Sequence, residues 1–190
     1  MAEDFPNIEP AHRDFILRQH MFFVASAAAS GHVNLSPKGL DSLRLVDSKS
    51  VVYLDLTGSG NETAAHLLAD GRLTLMFCAF EGAPLILRLY GHGRCLRRGG
   101  AEYAALLAAE FGGVEPAGAR QMIQLDVERV QTSCGYAVPF FSFAGDRPGL
   151  TRWAEIKGEI GLDAYRRAHN LVSIDGFPTR LLDESEAIDN

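Results

Sequence analysis

His32, Asn34, Ser36 and Lys38 recur at every second position of the stretch His32-Val33-Asn34-Leu35-Ser36-Pro37-Lys38. Alternate side chains of a strand share a face. Three hydrogen-bonding groups and one cation would therefore stand on one side, with Val33, Leu35 and Pro37 on the other. A solvated outer face accounts for such a pattern. So does a wall for a polar, anionic ligand, and Asn and Ser suit an exposed strand poorly. A second stretch, Thr57-Gly58-Ser59-Gly60-Asn61-Glu62-Thr63, joins an apolar run to a short helical pattern. Ser59 and Glu62 have the spacing of a capping box, with Ser59 as cap and Glu62 reaching back. The same geometry offers backbone N–H groups and the positive end of a helix to an anion. Gly58 and Gly60 permit close approach of a ligand to the backbone. Both uses of the loop are open at this point. No Gly-Lys-Ser/Thr follows, so this is not a Walker loop, and it is not GxGxxG in a βαβ unit.

Other chemistry-bearing residues are more isolated. Arg88 interrupts the apolar run Leu85-Ile86-Leu87-Leu89-Tyr90, either as an outward barrel position or as a cation aimed at a ligand. Gln131-Thr132-Ser133-Cys134-Gly135-Tyr136 closes a strand with small polar residues. Cys134 has no His or Asp placed to activate it, which favours a buried or bystander thiol. The six histidines show no HExxH and no metal-ligand spacing, and there is no GxSxG elbow. The catalytic residues are not identified from these patterns, and no metal is expected.

The elements that must position these groups follow from periodicity. Helical patterns cover Glu9 to Gln19, Glu62 to Ala69 and Glu102 to Phe111. They resume from Thr151, where Trp153, Ile156 and Ile160 fall at 3- and 4-residue spacing. Strand patterns cover Phe22 to Ala25, His32 to Lys38, Leu43 to Val46, Val51 to Leu56, Arg72 to Phe80, Leu85 to Leu96 and Gln121 to Gln131. Most gaps are too short for the crossover helix of a parallel sheet. An antiparallel barrel with helices outside it is the expected architecture. It forms one domain over 1–190, with the barrel core at about 20–135 and a helical extension at about 150–170.

The 190 residues are 47% hydrophobic and 22% charged, with a net charge of −6. Length and composition suit one soluble domain with a sizeable core. No excess of Lys and Arg is available for phosphate neutralisation, so nucleic acid is not expected as a partner. No run approaches the roughly 20 apolar residues of a membrane helix. The acidic start Met1-Ala2-Glu3-Asp4 is unlike a secretory signal, so a cytoplasmic location is expected. Cys78, Cys95 and Cys134 read as free thiols.

Five segments, FFVASA, GHVNLSPKG, VVYLDLTGSGNET, RLTLMFCAFEGAP and LRLYGHGR, come in an order and spacing that resembles the pyridoxamine 5′-phosphate oxidase-like proteins, the FMN-binding split barrels. The likeness covers roughly residues 10 to 135. HVNLSPKG, TGSGNETAAHL, QTSCGYAVP and SIDGFPT look like an uncharacterised bacterial and fungal branch. The resemblance implies a six-stranded antiparallel split barrel, mainly β with flanking helices, that forms a homodimer with FMN in a cleft at its interface. It implies that the phosphate and ribityl chain are held by Asn34, Ser36 and Lys38 and by the loop carrying Thr57, Ser59, Gly60, Asn61 and Thr63. Lys38 would be the countercharge, Arg88 a further contact, and Ser133 a donor near the isoalloxazine. The expected activity is flavin-dependent oxidoreduction of a small molecule. The alternatives are a flavin carrier without turnover and a reductase using the deazaflavin F420. The authentic oxidase carries an Arg-Lys pair where this chain has Ser59-Gly60-Asn61-Glu62, and an Arg-x-His element absent from the tail SIDGFPTRLLDESEA. The resemblance therefore does not carry pyridoxal phosphate synthesis with it.

Overall fold

The structure, a computed structural model, describes residues 2–183. In chain order the elements are β1 (Glu3–Phe5), α1 (Pro10–Leu17), β2 (Phe22–Ser26), β3 (Asn34–Lys38), β4 (Leu43–Leu45), β5 (Ser50–Leu56), α2 (Glu62–Ala69), β6 (Arg72–Cys78), β7 (Ile86–Arg97), α3 (Ala101–Glu110), β8 (Ala119–Ser133) and α4 (Gly149–His169). The strands form one antiparallel sheet in the order β3-β2-β6-β7-β8-β5-β4, with β1 added to β8. The chain is thus a mainly β half-barrel of the split-barrel class with flanking helices. Among the described residues it has eight strands rather than the expected six. Two of the eight, β1 and β4, are three residues long.

β7 and β8 form the backbone of the sheet, paired from Ile86↔Ser133 to Arg97↔Gln121. Their register shifts between Tyr90 and Gly91. Such a bulge bends and twists a strand pair, which helps curl a sheet. Gly91 is required there, because a Cβ would stand 1.9 Å from the Asp126 carbonyl oxygen.

β5 is buried on both faces, which explains its continuous apolar run. Val51 and Tyr53 enter the main core with Phe22, Val24, Leu75, Phe77, Leu87, Leu89, Ile123 and Leu125. Val52 and Leu54 turn the other way, onto a smaller cluster with Leu96, Tyr103 of α3 and Met122. Each fully buried side chain of this size contributes roughly 1.5–3 kcal/mol of transfer free energy. Helix α1 adds Phe15 and Ile16 to the main core. Burial first, then the Asp55 charge, push the Cys95 thiol up to about 12. All three cysteines are free, and Cys134 is exposed rather than buried.

The C-terminal helical pattern has a different inner face from the one expected. Ile156 and Ile160 are 86% and 90% exposed, whereas Ala154, Leu162 and Arg166 are buried. The helix breaks at Gly158, whose φ is +60°, so the 153–160 spacing does not lie on one continuous stripe. Among the described residues, no helix is long and apolar enough to cross a membrane.

Candidate functional site

β3 is an edge strand, paired only with β2 and held from Lys38↔Phe22 to Asn34↔Ser26. Its alternation is real and runs inside out. Asn34, Ser36 and Lys38 are half-buried, while Leu35 and Pro37 are exposed, Leu35 by 63%. The polar face lines a cavity of about 450 Å³. The opposite wall is the loop between β5 and α2, through Gly58, Ser59 and Gly60, with Glu62 and Thr63 of α2. Ser42, Asp55 and Arg120 complete the lining used below.

A short polar network sets the β3 wall. The Asn34 amide donates to Ser26 Oγ at 3.2 Å and to Thr63 Oγ1 at 3.1 Å. Its carbonyl oxygen accepts from Ser36 at 3.0 Å. Ser26 is also within 3.1 Å of His66 Nδ1. Both Asn34 amide N–H donors are therefore spent inside the protein, and the side chain fixes the Ser36 and Thr63 hydroxyls at the cavity.

Beneath them lies an ion network centred on Asp55. The Asp55 carboxylate accepts from Lys38 Nζ at 2.8 Å, from Arg120 Nε at 2.7 Å and from Gln121 Nε2 at 2.9 Å. Burial pushes this carboxyl up, but the Arg120 and Lys38 charges outweigh burial and hold it well below the usual carboxylate range. Lys38 spends one of its three N–H donors on Asp55. Arg120 continues to the loop, donating to the Gly60 carbonyl at 2.8 Å and to Asn170 Oδ1 at 3.0 Å.

The loop does not cap α2 as its spacing suggests. The N-cap residue is Asn61, and it makes no side-chain capping bond. Asn61 Oδ1 instead accepts from Gln121 at 2.8 Å. The Glu62 carboxylate turns outward from the expected box and accepts from the Ile174 backbone N–H at 3.1 Å. Among the described residues, the backbone N–H groups of Gly58, Ser59 and Gly60 donate to no protein acceptor. Ser42 Oγ, in the same cavity lining, is buried and has no partner among the described residues.

The expected site residues thus fall into three groups. Asn34, Ser36, Lys38, Ser59, Gly60 and Thr63 meet at one cavity. Thr57 and Asn61 are buried behind it; Thr57 donates to the Gly118 carbonyl and accepts from Arg166. Arg88 and Ser133 bond one another at 3.2 Å and do not line this cavity. His32, from the same alternating stretch, precedes β3 and pairs with Asp175 at 2.6 Å.

Sequence reasoning passed over Asp55, Arg120, Ser42 and Asn170. Asp55 carried a signal, a lone carboxylate at the end of an apolar strand, which calls for a buried cation. Among the described residues, no group of three or more His, Cys, Asp or Glu could hold a metal ion. The cavity lining balances two cations, Lys38 and Arg120, with two carboxylates, Asp55 and Glu62, and adds hydroxyls and backbone donors that can meet an anion.

The family model described as pyridoxamine 5′-phosphate oxidase matches residues 8–134. A curated relative, the pyridoxamine 5′-phosphate oxidase family protein ustO of Aspergillus flavus, is 40% identical over 182 residues, covering 87% of this chain and 73% of its own. Among solved structures, HupZ of Group A Streptococcus is 27% identical with a TM-score of 0.53, over 65% of this chain and 91% of its own. A putative pyridoxamine 5′-phosphate oxidase from Lactobacillus delbrueckii shares the fold, at 16% identity and a TM-score of 0.51, over 66% of this chain and 94% of its own.

Proposed function

Because the chain belongs to the pyridoxamine 5′-phosphate oxidase family, we propose that its cavity binds FMN and that the protein is a flavin-dependent oxidoreductase acting on a small molecule. The observation that carries this reading is the meeting of the β3 polar face and the 58–60 loop at one cavity. The donor set fits a phosphoester. Lys38 keeps two N–H donors beyond its bond to Asp55, and the loop presents backbone N–H groups that no acceptor among the described residues uses.

Bound FMN would supply hydride transfer; the protein supplies binding, orientation and electrostatics. Lys38 and the Gly58–Gly60 backbone take the phosphate. Ser36 and Thr63, fixed by Asn34, take ribityl hydroxyls. Asp55 and Arg120 keep Lys38 and the loop in place from behind. Arg88 and Ser133 belong to this proposal only on the isoalloxazine side of a cleft shared with a second copy of the chain. Support for that second copy is exposed apolar surface: Val33, Leu35, Phe140 and Phe141 are 73%, 63%, 80% and 62% exposed.

The test is mass spectrometry of the small molecule released when purified protein is denatured, followed by titration of the apoprotein. Release of FMN, with bleaching under a hydride donor, supports the reading. FMN that does not bleach under any donor makes the protein a carrier. A colourless protein that takes up F420 and ignores FMN sinks the FMN assignment.

A further inference from the structure

The chain from Asn170 to Thr179 lies beyond the family match, which ends at residue 134. It nonetheless bonds the loop wall of the cavity and His32, two residues before β3. Asn170 is completely buried at the end of α4. Its side-chain amide donates to the Gly58 carbonyl at 3.1 Å, and its Oδ1 accepts from Arg120 at 3.0 Å. Its backbone carbonyl accepts from Asn61 at 3.4 Å and from Thr179 Oγ1 at 2.7 Å. Five residues later, the Asp175 carboxylate accepts from the His32 backbone N–H at 2.7 Å and pairs with its ring at 2.6 Å. Between them, the Ile174 N–H bonds Glu62. Asn170 thus fastens the 58–61 loop, and Asp175 fastens the entry to β3.

We infer that Asn170 is a positioning residue for the 58–60 loop. By turning the Gly58 and Gly60 carbonyls back into the protein, directly and through Arg120, it holds the N–H groups of that loop toward the cavity and so sets its affinity for a phosphate. A peptide unit has its N–H and C=O on opposite sides. Anchoring the Gly58 and Gly60 carbonyls behind the loop therefore turns the N–H groups of the same peptide units, those of Ser59 and Asn61, to the ligand side. The C-terminal strap is then part of the binding site, although none of its residues is asked to touch the ligand. The inference rests on the phosphate reading above, but the orientation of the loop can be tested without any ligand.

The experiment uses the full chain with Asn170→Asp, Asn170→Ala and Thr179→Val. Asn170→Asp keeps the acceptor for Arg120 and sets a carboxylate oxygen against the Gly58 carbonyl. Asn170→Ala removes both contacts without adding charge and covers the case in which the first variant does not fold. Thr179→Val loosens the strap without touching the loop carbonyls. Hydrogen exchange over residues 57–63 of the apoprotein is measured together with titration by FMN and by riboflavin, which lacks the phosphate. The Asn170 variants should exchange faster in the loop and lose about tenfold in FMN affinity, while riboflavin affinity stays within about twofold. Thr179→Val, which loses only the bond to the Asn170 carbonyl, should shift both by clearly less than the Asn170 variants do. A folded Asn170 variant with unchanged loop exchange overturns the inference whatever it binds. So does Thr179→Val if it reproduces the full effect, or a loss for riboflavin as large as that for FMN. If the wild type binds neither flavin, the FMN reading fails and the exchange data alone decide the role of Asn170.

Discussion

Arg120 and Asp55 close an ion pair at 2.7 Å with side chains only 5% and 4% exposed. Removing one member of such a pair strands the other charge, at a cost of about 3–5 kcal/mol. Asp55→Asn should therefore lower stability by about that much, measured by urea unfolding. It also removes the group that holds Lys38 and, through Arg120, the loop, so FMN affinity should fall with stability. A variant that gains FMN affinity while losing stability would show that Asp55 tempers the charge of the site rather than shaping it.

Asp55 also predicts an acid limb. Its folded-state pKa lies below its unfolded value of about 3.9. Its contribution is then complete above that value and shrinks as pH falls toward the folded-state pKa. Stability should drop below about pH 4, and Asp55→Asn should flatten that drop. Thermal melts of both proteins between pH 3 and pH 7, at about 0.15 M salt, read the difference directly.

Lys38→Met should weaken FMN by roughly ten- to a hundredfold, the worth of one charge-assisted contact of about 1.5–3 kcal/mol. Arg120 and Gln121 still hold Asp55, so the variant should fold. Equal FMN affinity in variant and wild type would remove Lys38 from the site.

Ser59→Ala should leave stability nearly untouched, because Ser59 is not the cap of α2. A true cap would cost about 1 kcal/mol. Gly60→Val should weaken FMN more. A Cβ at Gly60 would already stand 3.2 Å from Glu62 Oε1, and the branches of Val reach further into the cradle. If both variants bind FMN as the wild type does, the loop only turns the chain.

Sedimentation at low micromolar concentration should give a dimer, with the exposed Phe140 and Phe141 less accessible in it than in the isolated chain. A monomer of about 21 kDa that holds FMN tightly would remove the shared cleft from the proposal.

The sequence made local patterns readable and left remote partners hidden. Helix α2 stands at the expected Glu62–Ala69, because its run is bounded by a polar loop and by Gly71. That Asn34, Ser36 and Lys38 share one face of β3 followed from period-two alternation, which left open whether that face met solvent or a cavity. β1 did not, since three residues hold no pattern and it is placed by backbone pairing with β8. The site splits the same way. Asn34, Ser36 and Lys38 were visible because one strand carries them all. Arg120 meets Asp55 from 65 residues away, and Asn170 meets Gly58 from 112 away. Neither meeting can be read without the register of β5 on β8 or the course of α4.

β8 pairs with β7 along its length, with β5 over its first half and with β1 near its end. A ribosome makes those partners long before it makes β8; Asp4 waits for Gln131 across 127 residues. Until residues 119–133 emerge, β1 has nowhere to dock, and β5 has only the short β4 beside it. Pairings over such distances form slowly, because the loop must close before any contact rewards it. The nascent chain should thus remain open to proteases until β8 is complete and then close in one step. Stalled chains ending at residue 118 should be digested throughout, whereas chains with β8 fully outside the exit tunnel should resist. Protection of β5 in the shorter chains would show that the sheet begins without its central strand.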